Sequence, residues 1–393
     1  MIEYRKIKAD ERLHFSRLTS YVFSLAEDEE VVRARIERDK DRDYIYGAVD
    51  AGGNIVAGMI AHPYYMWFDG ARLPMAGIGA VATVPEGRRQ GHIRKVFENV
   101  FEDIYEKGTV FSHLYPFSFD YYRLFGYEYC GYGNRYNLYT EGLRKLKNNG
   151  TAFEFKKDDT VRNELIHVYE TFAKRFNMML SRLPDRWEQV FDIKYFGGNR
   201  LYYWKDAEGI VKSWVKLNLK DGKLSVNDYA WVDYEAMLGI LHFIGMYEGH
   251  SEQFGINACP EFIPELLWGD IYDVKRAEQK YMFGMNRVVN AKLALEHMKK
   301  PDGEGKFTIK VVDRFAKWNN CTYKVEFGGG ECRVDEYNGG ADVEVSELAL
   351  MQMVLGVYGF EYIMNREDVV VNGNLGMLEK VFVKKKMFIA DHF

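Results

Sequence analysis

Residues 77–97 read GIGAVATVPEGRRQGHIRKVF and residues 115–128 read YPFSFDYYRLFGYE. The first piece has the pattern of a strand, a turn rich in basic residues and glycine, and a helix start. Ile93, Val96, Phe97, Val100, Phe101, Ile104 and Tyr105 fall at offsets 0, 3, 4, 7, 8, 11 and 12, which is one face of a helix. Gly108 is a plausible stop, and 109–115 reads as a strand. The second piece continues into a short helix carrying tyrosines. Gly91 lets a backbone approach a ligand without a Cβ, and the helix that follows offers unpaired N–H groups and the positive end of its dipole. Arg88, Arg89 and Arg94 add charge. This combination suits a pyrophosphate, although a solvated basic helix start has the same composition. A nucleoside-triphosphate P-loop and a dinucleotide G-x-G-x-x-G are both absent.

Upstream, helices are expected over 9–26 and 30–39, then strands over 44–49, 55–61, 64–68 and 72–84. Gly52-Gly53-Asn54 and Asp69-Gly70 punctuate them, and Asp-Gly between apolar runs signals a hairpin. This order predicts an antiparallel meander. The middle of the chain repeats it, with strands over 201–204, 210–218 and 224–232, a helix over 234–247, a strand over 253–257 and a short helix over 260–268. At the position of RRQGHIR the second copy has DYEAMLGIL, with no arginine pair and no glycine before the helix. It reads as a degenerate relative that has lost its cofactor site. After Met285 come strands over 307–312, 322–327, 332–335 and 341–345, a helix over 346–357, a strand over 368–371 and a helix over 375–382. Ser346 suits an N-cap, and FGGGE at 327–331 suits a tight hairpin.

With 393 residues, 47% hydrophobic and 28% charged, the chain can fill two or three cores. Its net charge of −5 argues against nucleic acid as the main partner. The four cysteines, Cys130, Cys259, Cys321 and Cys332, have no metal-ligand or redox spacing and fit free thiols in a reducing compartment. No histidine pair has metal spacing, so no metal is expected. The N-terminus has no apolar signal region, and no run approaches the ~18 residues of a membrane span. A cytoplasmic protein without a membrane span is expected.

A strand–RRxG–helix unit after an antiparallel meander resembles the GCN5-related N-acetyltransferase (GNAT) superfamily, and YYRLFGYE resembles that superfamily's later helix–turn. The match extends over essentially the whole chain to the enhanced intracellular survival (Eis) family. It is carried most strongly by 81–94, 117–127, MNRVVNAKLAL at 285–295 and the terminal phenylalanine. The resemblance implies an α+β fold with three domains: an active GNAT domain (1–150), a degenerate GNAT-like domain (151–285) and a sterol-carrier-like domain (286–393) whose tail reaches the active site. It implies acetyl-CoA as cosubstrate and a hexameric assembly. Val81, Ala82 and Thr83 match the strand that meets the pantetheine arm. Arg88, Arg89, Gln90, Gly91, His92, Ile93 and Arg94 match the pyrophosphate turn, and Phe117 and Ser118 a further cofactor-contacting pair. The broader superfamily wants glycine or alanine where Ile93 stands, whereas the Eis family accepts a branched aliphatic residue. Ala82-Thr83-Val84 replaces more regular valines.

The same resemblance places the general acid at Tyr122 and the general base at the α-carboxylate of Phe393. The apolar run Met387-Phe388-Ile389 before it suits a docked tail. The expected reaction is acetyl transfer to a primary amine of a small cationic acceptor, aminoglycoside- or polyamine-like. Asp28 and Glu29, within the acidic run Glu27–Glu30, and Asp391 are candidates for attracting it. The alternatives are acetylation of protein lysines, or a lipid-binding protein with a vestigial acetyltransferase half.

Overall fold

The computed structural model describes residues 1–38, 44–192, 198–267 and 277–393. Asp39 and Trp268, which end two of the expected helices, lie outside the described residues. The N-terminal elements are β1 (Glu3–Lys6), α1 (Arg12–Phe23), α2 (Glu29–Arg38), β2 (Ile45–Val49), β3 (Ile55–Phe68), β4 (Ala71–Thr83), α3 (His92–Glu106), β5 (Phe111–Leu114), α4 (Phe119–Arg123) and β6 (Glu128–Tyr129). There follow β7 (Tyr132–Tyr139), β8 (Thr151–Glu154), α5 (Asp159–Ala173), β9 (Leu180–Ser181), α6 (Pro184–Phe191), β10 (Asn199–Lys205), β11 (Val211–Lys220), β12 (Lys223–Trp231), α7 (Tyr234–Ile244), β13 (Gln253–Ala258), β14 (Ala277–Met282) and β15 (Met285–Val288). The remainder holds α8 (Ala291–His297), β16 (Gly305–Val312), β17 (Thr322–Gly328), β18 (Glu331–Glu336), β19 (Val343–Ser346), α9 (Glu347–Leu355), α10 (Phe360–Ile363), β20 (Val369–Val371) and α11 (Leu375–Val381). The fold is mixed α+β. Among the described residues no helix is long and apolar enough to cross a membrane.

Three sheets organise the chain, in the orders β1-β2-β3-β4-β5-β15-β6, β14-β7-β13-β12-β11-β10-β8 and β18-β17-β16-β19-β20; β9 adds to β3. In the first, β2, β3 and β4 form the antiparallel meander and β5 lies parallel to β4. The second repeats this, with β10, β11 and β12 antiparallel and β13 parallel to β12. Helix α3 joins the parallel pair in the first sheet and α7 in the second. Two strands cross between them. β7 pairs with β13 in the second sheet, while β15 returns from far along the chain to lie between β5 and β6.

Local chemistry accounts for most elements. Asp69 and Gly70 both have positive φ, 48° and 84°, and join β3 to β4 in a two-residue hairpin. Gly329 and Gly330 do the same between β17 and β18. Ser346 caps α9 by accepting a hydrogen bond from the Ala349 N–H. Two expectations change. Segments 55–61 and 64–68 are one strand, because Pro63 falls where β3 has no second neighbour among the described residues: the β2 pairing reaches only Ile45 and β9 begins only opposite Tyr65. A missing N–H costs nothing there. The helix expected over 260–268 is reduced to a 3-10 turn at Pro264–Leu266, since Pro264 cannot donate the hydrogen bond a helix through Pro260 would need. Helix α5 was not anticipated, although Val161, Leu165, Val168, Tyr169 and Phe172 have helical spacing.

Arg287 of β15 is fully enclosed and ties the first sheet to the C-terminal part of the chain. Its Nη2 donates to both oxygens of Asp313 at 2.8 Å, its guanidinium lies over the Phe101 ring and its Nη1 donates to the Phe125 carbonyl just after α4. Replacing Arg287 by methionine leaves the Asp313 carboxylate buried without its cation. The expected result is a loss of about 3–5 kcal/mol of stability, read by denaturant unfolding.

Candidate active site

β4 and β5 separate before β4 ends. Their parallel pairing runs from Met75–Phe111 to Ile78–Leu114, while β4 continues to Thr83. Over 79–83 its other edge still pairs with β3, at Ala82–Gly58 and Thr83–Ala57. No described strand covers the edge facing β5. Its backbone groups are therefore available to an extended ligand, as in strand addition. A bulge sharpens the split: the β3–β4 register shifts between Gly58 and Ile60, and Ala80 sits at φ 51°. A left-handed alanine costs about 1–2 kcal/mol, and such strain is commonly found at functional positions. Ala82 is buried, with Val81 and Thr83 half-buried, so this stretch presents mainly backbone.

The turn after β4 is built to stay open. Arg89 and Gly91 both have positive φ, 61° and 80°, and Gly91 is the N-cap of α3 with no side chain to cap it. The first N–H groups of α3 are thus left for an outside acceptor. Arg88 and Arg89 are exposed and have no ion-pair partner among the described residues. The neighbouring side chains are committed elsewhere. His92 Nδ1 lies 3.0 Å from the Tyr4 hydroxyl, Ile93 is buried in the core, and the Gln90 amide donates to the Glu86 carbonyl. Arg94 pairs with Glu98 at 3.6 Å and lies over the Phe315 ring. At the equivalent point of the second sheet Asp233 caps α7, accepting from the Ala236 N–H at 2.8 Å. A carboxylate there satisfies the helix end and repels phosphate.

Tyr122 is buried on α4, in the cluster that also holds Ala76, Ile78 and Leu114. Phe117, Tyr121 and Tyr127 surround its ring. Burial, reinforced by Tyr121, pushes its phenol well above the ordinary value. The phenol stays protonated at neutral pH. Ser118 spends its hydroxyl capping α4, accepting from the Tyr121 N–H, whereas Phe117 is 72% exposed.

The C-terminal tail docks along the second sheet and ends on the first. The Phe388 N–H donates to the Asn177 carbonyl and the Asn177 N–H to the Lys386 carbonyl. Tyr115 donates its hydroxyl to the Asp391 carbonyl at 2.6 Å and stacks on the His392 ring. The Phe393 ring then lies over Gly77, flanked by Tyr64, His113 and Tyr115. A Cβ on Gly77 would stand 2.5 Å from that ring, so only glycine leaves the seat open. Neighbouring residues of a strand point to opposite faces. Phe393 therefore sits on one face of β4 and Tyr122 on the other, at the level where β4 and β5 part. Among the described residues no lysine, arginine or histidine is in ion-pair range of the Phe393 carboxylate.

Beside Phe393 opens a cavity of about 950 Å³ between α1, α2 and α6. Phe15, Tyr44 and Tyr64 give it aromatic walls, and Glu27, Asp185, Arg12, Arg35, Arg38 and Arg186 give it charge of both signs. Of the acidic run, Glu27 is the member on this wall, paired with Arg35 at 2.7 Å. Asp28 and Glu29 are exposed at the start of α2. Asp28 accepts from the Glu30 N–H, and Glu29 pairs with Arg33 and Arg17. Asp391 is buried and held by Arg182 and Arg186. The structure thus gathers Tyr122, the end of β4, the open turn and Phe393, and leaves Asp28, Glu29 and Asp391 with other partners. Gly77 and Tyr115 join the site without having been singled out. The paired glycines of GIG, unusual inside a strand, are the signal that marks a close approach.

Residues 3–130 match the acetyltransferase (GNAT) domain model, and residues 291–390 match the sterol carrier protein domain model. The chain is accordingly an enzyme, an N-acetyltransferase with a GNAT domain at its N-terminus and a sterol-carrier-like domain at its C-terminus. Among solved structures it is similar to a probable N-acyltransferase of unknown function from Enterococcus faecalis, at 21% identity and TM-score 0.88 over 100% of both chains. A GCN5-related N-acetyltransferase from Kribbella flavida aligns at 19% identity and TM-score 0.85, over 100% of this chain and 98% of that one. Eis1 from Mycobacterium abscessus aligns at 16% identity and TM-score 0.81 over 100% of both. At these identities the likeness is one of fold. No curated protein matches the sequence significantly. A GNAT domain takes its acyl group from an acyl-CoA, and the open β4 edge and the uncapped α3 N-terminus fit the arm and pyrophosphate of such a molecule.

Proposed function

We propose that the chain is an Eis-type, acetyl-CoA-dependent enzyme that acetylates a primary amine of a small cationic acceptor, with Tyr122 as general acid and the Phe393 α-carboxylate as general base. The observation that carries this reading is the seat of Phe393. A chain terminus is ordinarily frayed, yet this one is docked through its last seven residues beside the split of β4 and β5, with no ion-pair partner for its carboxylate among the described residues. Acetyl-CoA supplies the thioester. The amine nitrogen bonds to the carbonyl carbon as the C–S bond breaks; Tyr122 gives its proton to the departing sulfur, and the ammonium proton goes to the carboxylate. Burial keeps Tyr122 protonated until then. The backbone of 79–83 holds the pantetheine arm, and Arg88 and Arg89 meet the pyrophosphate at the α3 N-terminus. Losing either arginine should raise KM for acetyl-CoA by about 10-fold, the worth of one charge-assisted hydrogen bond, with kcat little changed.

The aromatic cavity beside Phe393 is the acceptor site in this reading, with Glu27 and Asp185 as its carboxylates. Arginines on the same walls favour a second reading, an acceptor that carries an anionic group besides its amine. Lipid carriage by the C-terminal domain has less support, because all nine residues of α9 are buried and the helix fills the space between the third sheet and β15. CoA release measured with aminoglycosides, polyamines, amino acids and lysine peptides tests these. Turnover with cationic amines supports the first reading, and turnover with zwitterionic amines the second. No release with any amine refutes the transferase mechanism. Assembly as a hexamer belongs to the same proposal, and sedimentation of the intact protein checks it.

A further inference from the structure

The second sheet and the segment around α6 hold the last three residues through a closed set of charges. Arg182, whose side chain is 2% exposed, donates from Nε to both oxygens of Asp391 at 3.0 and 3.2 Å and ion-pairs with Asp228 of β12 at 2.7 Å. Its guanidinium lies 4.1 Å from the Tyr169 ring centroid, and the Tyr169 hydroxyl donates to Asp391 at 3.2 Å. Arg186 approaches Asp391 at 3.4 Å and donates to the His392 carbonyl. Two arginines thus face two aspartates, and the set is neutral. The terminal carboxylate stands outside it, two residues from Asp391.

Arg186 lines the same cavity as Phe393, and a bare carboxylate there would ordinarily be drawn into an ion pair. Here Asp391 occupies both cations. We infer that Asp391 insulates the Phe393 carboxylate from Arg182 and Arg186, and that these three are positioning residues by which the second domain keeps the base unpaired. The inference rests on the proposed role of Phe393 as base.

Among the described residues, none of those around the Phe393 ring is a cation at neutral pH. From β5, His113 is held neutral, its pKa pushed down to about 3 by burial and then by His392. His392 is itself pushed down, by burial and then by Arg186. Tyr64 of β3 is raised by burial to about 12, and Tyr115 is raised further by the same cause. His62 of β3, with Arg12 and Arg38, lies on the cavity wall, where Glu27 holds Arg35 and Asp185 adds a further negative charge.

Asp391→Asn in the intact chain tests this. Arg186, a quarter exposed and able to swing, would then pair with the Phe393 carboxylate. A cation within about 4–6 Å favours the charged carboxylate, so the acid limb of kcat/KM should move down by about one pH unit. The weaker base should also lower kcat several-fold. Adding Arg186→Gln removes the competing cation and should return the limb toward its original position. A fall in kcat with no movement of the limb, and no recovery in the double variant, would show that Asp391 merely docks the tail and would overturn the inference. If Asp391→Asn does not fold, Arg186→Gln alone should move the limb up, and an unmoved limb overturns the inference equally. Deletion of Phe393 separates the two levels. Turnover that survives it removes the base, and the inference with it. If deletion abolishes turnover but Asp391→Asn keeps the original rate and limb, only the insulation fails.

Discussion

Extending the chain beyond Phe393 by even a short tag should lower kcat by about 10²- to 10⁴-fold, the usual worth of a positioned acid or base, while acetyl-CoA affinity stays within a few-fold. The extension converts the α-carboxylate into a neutral amide and removes the only anionic oxygens of that residue. The cosubstrate elements, on β4 and the turn before α3, are untouched. Gly77→Ala should produce a related loss by another route, because its methyl would meet the Phe393 ring at 2.5 Å and lift it from the strand. Steady-state kinetics paired with acetyl-CoA titration reads both. A tagged chain with unchanged kcat would remove the carboxylate from the mechanism.

Tyr122→Phe should show the complementary loss. The ring still fills its place among Phe117, Tyr121 and Tyr127, so folding and acetyl-CoA binding should survive. The proton donor for the departing thiolate is gone, and kcat should fall about 10²-fold or more. The effect should shrink with acyl donors whose thiols are more acidic, since these leave without help. Equal losses across such donors, or a KM effect with kcat preserved, would assign Tyr122 to packing. The raised phenol also predicts a basic limb lying above the ordinary tyrosine range. Burial disfavours the phenolate, so activity that needs the protonated form should persist as pH rises past about 10.

The legible parts of this chain are those set by near neighbours. The buried face of α3 follows from a 3.6-residue spacing, and Ile93, Val96, Phe97, Val100, Phe101 and Ile104 are all buried. Asp69-Gly70 and Gly329-Gly330 make their hairpins because both turn positions need positive φ. RRQG reads as an anion turn because glycine cannot cap a helix with a side chain, and the contrast with Asp233 in the repeated unit is visible in the residue types alone. Asp28 and Glu29 show the weakness of charge runs as signals. A run of acids says nothing of which member faces a cavity, and local partners take Asp28 and Glu29 while Glu27 reaches the wall.

The sequence alone was sufficient for β2 to β5 and β10 to β13 with their helices α3 and α7, for the recurrence of that order, for the acidic partner at the second helix start and for the terminal phenylalanine, since periodicity, turn conformation and capping act over a few residues. Only the tertiary structure decided that β15 enters the first sheet between β5 and β6, that Phe393 settles on Gly77, and that Asp391 meets Arg182 across 209 residues of chain. Those contacts depend on how sheets pack and on which charges are sealed from water, and nothing in the spacing of distant residues along a chain records that.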